Sequence, residues 1–294
     1  MVEQDLLSNI EKQIKHILHS SRFWSSGYSI RNNRLNGLYL RSEDSGDRKI
    51  KNIPDIIVEA IYLETISFGI NLIESIPENF GQLKRLRYCF LGNNLIEYIP
   101  KSMSELSNLE VLEIQNNRLK SFLEDCSNLI SLRDLSLGNN LLTNLPISIG
   151  QLENLVSLRI PYNKIIELPF EISNLKNLSR LRYGSNMVEK LPDWIGNLKN
   201  LNELMLHDNK LKSLPESITQ LKQLQILDLR NNNFTEIPIW LFSELDSLKE
   251  IYLSGNPLSN SFKQKFKTIT KLMPENILID GYDISSYFRK SNLF

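Results

Sequence analysis

Asparagine recurs at a fixed step of 23 residues, at Asn71, Asn94, Asn117, Asn140, Asn163, Asn186, Asn209 and Asn232, and once more after 24 residues at Asn256. Self-similarity at a fixed period of about 20–50 residues is the mark of a stack of equivalent supersecondary units rather than of one closed core. Apolar residues hold a constant phase around each asparagine. Leu132, Leu135, Leu137, Asn140, Leu142, Leu145, Pro146, Ile149 and Leu152 return one period later as Leu155, Leu158, Ile160, Asn163, Ile165, Leu168, Pro169, Ile172 and Leu175. The template is LxxLxLxxNxLxxLPxxIxxL.

Alternation of apolar and variable residues in LxL is the period of a strand with one buried face. The later apolar positions, at wider spacing, point inward from turns and short helical pieces. One copy cannot bury its own apolar side, but copies stacked at the strand spacing of roughly 4.8 Å form a continuous core. The chain turns sharply out of the strand at the asparagine, leaving backbone groups in a low-dielectric interior. A carboxamide offers two donors and an acceptor to satisfy them. The asparagine column therefore reads as a structural ladder.

The template resembles the leucine-rich-repeat family, in its 23-residue class with an LPxxIxxL second half, over residues 35–258. The resemblance implies an α/β solenoid: a curved horseshoe with a parallel concave sheet of about ten strands. Template phase puts these strands near residues 38, 66, 89, 112, 135, 158, 181, 204, 227 and 251. Intracellular Ras-pathway scaffolds and their plant relatives belong to this family, and bacteria carry such chains too.

The template breaks in a few places. Phe122-Leu123 stands where Leu-Pro is expected, so the outer turn there loses its preset φ. The segment from Ile237 to Leu245 is one residue longer than its counterparts, and Tyr183 and Cys89 replace strand leucines as core residues. In the first repeat, five extra residues fall within the polar stretch from Ser42 to Arg48, which reads as a mobile loop.

A solenoid needs atypical ends to cover its core. Leu6, Leu7, Ile10, Ile14, Ile17 and Leu18 recur at helical spacing, so residues 1–34 read as a capping helix and linker. Residues 259–294 read as a C-terminal cap, with a helix from Phe262 to Met273 and a last strand at Asn276–Ile279. Partner docking or a membrane surface is the alternative role for these ends.

Residue chemistry excludes more than it suggests. Lys+Arg and Asp+Glu are 34 each, so there is no basic excess of the kind that nucleic-acid or anionic-membrane binding uses. No stretch approaches the roughly 18 apolar residues of a membrane span. The histidines, His16, His19 and His207, make no metal pattern, and no phosphate-loop, dinucleotide or nucleophile-elbow motif occurs. No catalytic residue, metal or cofactor is expected. The acidic start Glu3-Gln4-Asp5 lacks the basic residues of a signal peptide, and the ends lack cysteine, which favours a reducing, cytoplasmic setting.

Residues flanking each strand leucine are free of core constraint and face the concave side. Aromatic, Met and Arg residues there are the types enriched at interface centres. Arg159, Tyr162, Arg180, Arg182, Met205, His207, Asp208, Asp228, Arg230 and Tyr252 form the expected partner-binding patch, with Tyr88 and Phe90 as a second contact or as packing under the N-terminal loop. The opposing reading pairs Arg182 or Arg230 with Asp228 and leaves only a solvated sheet. The expected function is a monomeric, non-catalytic scaffold or interaction module for another protein. The resemblance names a small GTPase or a signalling enzyme as one kind of partner. A microbial effector or surface-associated protein binding a host protein is the second reading.

Overall fold

The computed structural model describes residues 9, 24–32, 34–42, 49–269 and 278–280. Apart from residue 9, the capping helix expected over residues 3–20, with His16 and His19, lies outside these residues, as does the loop over residues 43–48. The chain forms two compact units, Met1–Leu155 and Val156–Phe294.

In the first unit, β1 (Trp24–Arg31) and β2 (Arg34–Ser42) form an antiparallel hairpin. From β2 the sheet continues in parallel through β3 (Thr65–Ser67), β4 (Tyr88–Phe90), β5 (Val111–Glu113) and β6 (Asp134–Ser136). In the second unit, β7 (Ser157–Arg159), β8 (Arg180–Arg182), β9 (Glu203–Met205), β10 (Ile226–Asp228), β11 (Glu250–Tyr252) and β12 (Leu278–Asp280) run parallel in chain order. Each strand position read from the template falls inside β2 to β11. The central residue of each is core: Leu38, Ile66, Cys89, Leu112 and Leu135 in the first unit, Leu158, Leu181, Leu204, Leu227 and Ile251 in the second.

Opposite the strands, five-residue 3-10 turns begin after Pro54, Pro100, Pro146, Pro169, Pro192 and Pro215. Their φ values of −61° to −75° are those the pyrrolidine ring enforces. After Phe122-Leu123, where the proline is absent, no such turn forms; Asp125 accepts a hydrogen bond from the Ser127 amide at 2.9 Å instead. The residue added between Ile237 and Leu245 converts this piece into an α-helix, Trp240–Glu244.

The asparagines do what buried turns require. In the first unit, Asn94 accepts from the Ile73 amide at 3.0 Å and donates to the carbonyls of Phe68 and Leu91, both at 2.9 Å. Asn71, Asn117 and Asn140 repeat the pattern, as do Asn186, Asn209, Asn232 and Asn256 in the second unit. Asn163 donates to the carbonyls of Ile160 and Pro161.

Residues 1–34 are not helix and linker throughout, because residues 24–31 pair as a strand across a turn at Asn32, φ 51°. At the other end, the helix is Asn260–Ile269, and residues 270–277 lie outside the described ones. Phe262 and Phe266 are buried, with Phe266 5.4 Å from the ring of Phe242. Because β12 extends the ladder beyond β11, that helix is not the last element of its unit.

Candidate protein-binding face

Strand register sorts the expected patch of the second unit into two rows. Arg159, Arg182, Met205, Asp228 and Tyr252 stand side by side on β7 to β11, and Ser157, Arg180, Glu203, Ile226 and Glu250 form the row beside them. Arg180 and Arg182 are exposed on either side of buried Leu181.

The charges are paired: Arg230 takes Asp228, one of the two pairings expected, whereas Arg182 takes Glu203 instead. Arg182 holds Glu203, which is only 8% exposed, through Nε to Oε1 at 2.6 Å and Nη2 to Oε2 at 3.4 Å. Arg230 grips Asp228 with its backbone amide, Nε and Nη2, at 3.1, 2.9 and 2.5 Å. Its guanidinium lies 5.0 Å from the ring centre of Tyr252, whose hydroxyl donates to Glu250 at 2.6 Å. That hydroxyl titrates above its ordinary range, because the hydrogen bond to Glu250 favours its protonated form.

Asp228 is 1% exposed, so it fixes Arg230 and offers nothing to a partner. Glu203 escaped sequence reasoning because its partner Arg182 is 21 residues away and only strand register joins them.

Tyr162 and Asp208 are not on strands. They occupy the residue before the ladder asparagine, where the backbone is left-handed, φ 55° and 53°. Tyr162 is 59% exposed, the more accessible of the two tyrosines of the patch. Asp208 accepts from His207 Nδ1 at 2.8 Å and from Asn231 at 2.8 Å, and the His207 hydrogen bond is the largest influence holding its carboxyl below the usual range. The His207 ring lies over Gly184, where a Cβ would meet Nε2 at 2.5 Å.

In the first unit Tyr88 and Phe90 are half-buried beside Cys89. The Tyr88 ring lies 5.2 Å from the Arg87 guanidinium, and its hydroxyl lies 3.3 Å from Glu110. The left-handed column carries a second, exposed ladder that sequence reasoning missed: Asn116 donates to Asn93 at 2.8 Å and Asn139 to Asn116 at 2.7 Å. Asparagine's tolerance of positive φ was the available signal.

Burial pushes the thiols of Cys89 and Cys126 up to about 12 and about 11, so neither is a nucleophile near neutral pH. Among the described residues no group of three His, Cys, Asp or Glu side chains could hold a metal ion, and no helix is long and apolar enough to cross a membrane.

Comparison with known proteins gives one consistent result. The profile described as "Leucine-rich repeat region" matches residues 116–210, and "Leucine rich repeat" matches residues 61–119 and 199–258. No curated protein matches. The Leptospira interrogans LRR protein LIC12759 is similar at TM-score 0.57 and 29% identity, over 79% of this chain and 70% of that one. The LRR ectodomain of the Arabidopsis thaliana membrane receptor kinase GASSHO1/SCHENGEN3, solved with CASPARIAN STRIP INTEGRITY FACTOR 2, is similar at TM-score 0.69 and 27% identity. This alignment covers 83% of this chain and spans 30% of the receptor chain. An octameric complex of Latrophilin 3, Unc5D and the LRR part of FLRT2 gives a match sharing the fold at TM-score 0.66 and 19% identity, over 87% and 91%. Template, ladder, strand register and matched profiles agree: the chain belongs to the leucine-rich-repeat family.

Proposed function

We propose that this chain is a non-catalytic interaction module that binds another protein on its strand face, centred in the second unit on Arg180, Arg182, Met205, His207, Arg230 and Tyr252, with Arg159 and Tyr162 beside them. The observation that carries this reading is the pre-positioning of its cations. Glu203 and Asp228, both buried, hold Arg182 and Arg230 upright, so little side-chain freedom remains to be lost on binding. Leucine-rich-repeat proteins of similar fold solved in complexes with protein partners support the same assignment. Tyr88 and Phe90 are the second contact. A cytoplasmic scaffold role, a monomeric state and a small GTPase or signalling enzyme as partner complete this reading.

The test is affinity capture followed by mass spectrometry, repeated with Arg180→Glu, whose side chain is exposed on β8. Capture of the wild-type partner should fall by about tenfold or more with melting unchanged. Equal capture by a normally melting variant rejects this face. The second reading, a microbial effector or surface-associated protein binding a host protein, is supported by the likeness to the Leptospira interrogans protein. Fractionation of the source cells separates the two.

A further inference from the structure

Away from that patch, the first unit gathers arginines on the side from which the chain approaches its strands. Arg31, Arg85 and Arg87, with Glu64, Glu110 and Ser131, line an open cleft of about 300 Å³. Two of these cations are matched: Arg31 lies 3.9 Å from Glu64, and Arg87 binds Glu110 through Nη2 at 2.7 Å and Nε at 2.8 Å. Arg85 pairs with no carboxylate among the described residues. It lies instead over the ring of Tyr62, 4.7 Å from its centre, and the same ring holds Arg34 at 3.8 Å.

An aromatic ring orients a guanidinium without neutralising it. Three cations and two anions therefore face the cleft, and Arg85 is the excess charge, held in place with its planar donors uncommitted to any acid. Such a fork matches the two oxygens of a carboxylate or phosphate, and the Ser131 hydroxyl on the same cleft adds another donor. Tyr88, adjoining Arg87 on β4, connects the cleft to the second contact described above.

The geometry points to an oxyanion-binding cleft centred on Arg85 that receives an acidic segment of a protein partner. This inference rests on the protein-binding reading and specifies the chemistry of one part of the partner. Glu64 and Glu110 keep the cleft from acting as a general polyanion trap, because they repel any anion not seated on Arg85.

Direct titration tests it, using the full chain and a fluorescein-labelled hexaglutamate peptide at low ionic strength, with hexalysine as the opposite-charge control. Hexaglutamate should bind, hexalysine should not, and inorganic phosphate should displace hexaglutamate. Arg85→Glu should weaken hexaglutamate binding by about tenfold or more, the value of one lost charge-assisted contact, whereas Lys164→Glu, at an exposed lysine outside both sites, should leave it unchanged. Arg85 is exposed, and an unchanged melting curve confirms the variant is folded. Equal affinity of wild type and Arg85→Glu, or equal binding of hexalysine, overturns the proposal. Tighter binding of a single-stranded hexanucleotide than of hexaglutamate overturns the choice of a protein partner. The titration needs no captured partner, so its failure leaves the strand-face assignment standing, and failed capture leaves the titration standing.

Discussion

Asn209→Ala isolates the energetics of the ladder at one rung. The Asn209 side chain accepts from the Val188 amide at 3.0 Å and donates to the carbonyls of Tyr183 at 3.0 Å and Leu206 at 3.1 Å. The residue is 8% exposed, so water cannot readily take over these three roles. At roughly 0.5–1.5 kcal/mol for each such bond, the truncation should remove about 2–4 kcal/mol. Urea unfolding followed by circular dichroism measures it, with Lys210→Ala, an exposed neighbour, as the control within about 0.5 kcal/mol. Asn209→Asp separates donor from acceptor: an ionised carboxylate keeps the Val188 bond but faces two carbonyl oxygens. It should be at least as damaging as alanine at pH 7. Burial and the facing carbonyls raise the pKa of that carboxyl above its unfolded value, so the defect should shrink as pH falls and the acid becomes a donor. If both variants unfold at the urea midpoint of Lys210→Ala, the ladder is decoration and the argument from buried backbone groups fails.

Tyr183→Phe should stabilise the protein, by about 1 kcal/mol, because the Tyr183 hydroxyl is buried without a hydrogen-bond partner among the described residues, in a residue 1% exposed; a lower melting temperature would contradict this. Arg182→Ala should destabilise by roughly 1–3 kcal/mol by stranding Glu203, and adding Glu203→Gln should recover most of the loss. A double mutant no better than the single one would show that Glu203 is satisfied some other way.

How much of this was legible beforehand differed from element to element. β8 could be read because Leu181 and its flanking arginines follow the two-residue period of a half-buried strand, and that pattern is local. β1 could not, because its Ser25-Ser26-Gly27 stretch carries no apolar alternation and the strand is held by its main-chain partner, β2. The consecutive asparagines Asn32-Asn33 were the overlooked hairpin signal. Arg180 and Arg182 were correctly read as exposed. The partner of Arg182 was not found, since nothing in a one-dimensional pattern ranks Glu203 above Asp228 as its acid. Tyr162 lies off the strand for another reason: a tyrosine with φ of 55° sits where this chain puts asparagine, serine, aspartate or glycine in every other repeat but that of Ile70, so residue preference argued against the conformation the stack imposes.

The reach of each ladder asparagine also sets how a chain of this kind can change length through descent. Asn232 contacts the amide of Leu211 and the carbonyl of Leu206, 21 and 26 residues back, and Asn256 makes the same contacts with Phe234 and Leu229 at 22 and 27. The added residue between Ile237 and Leu245 is absorbed in the helical return, and the rung above it still closes. A residue gained between a strand and its asparagine has no such outlet and would throw every group of that rung out of step. Gene duplications in whole repeats, and small insertions on the return side, are therefore the changes this architecture accepts, while the strand-to-asparagine segment is inherited at constant length.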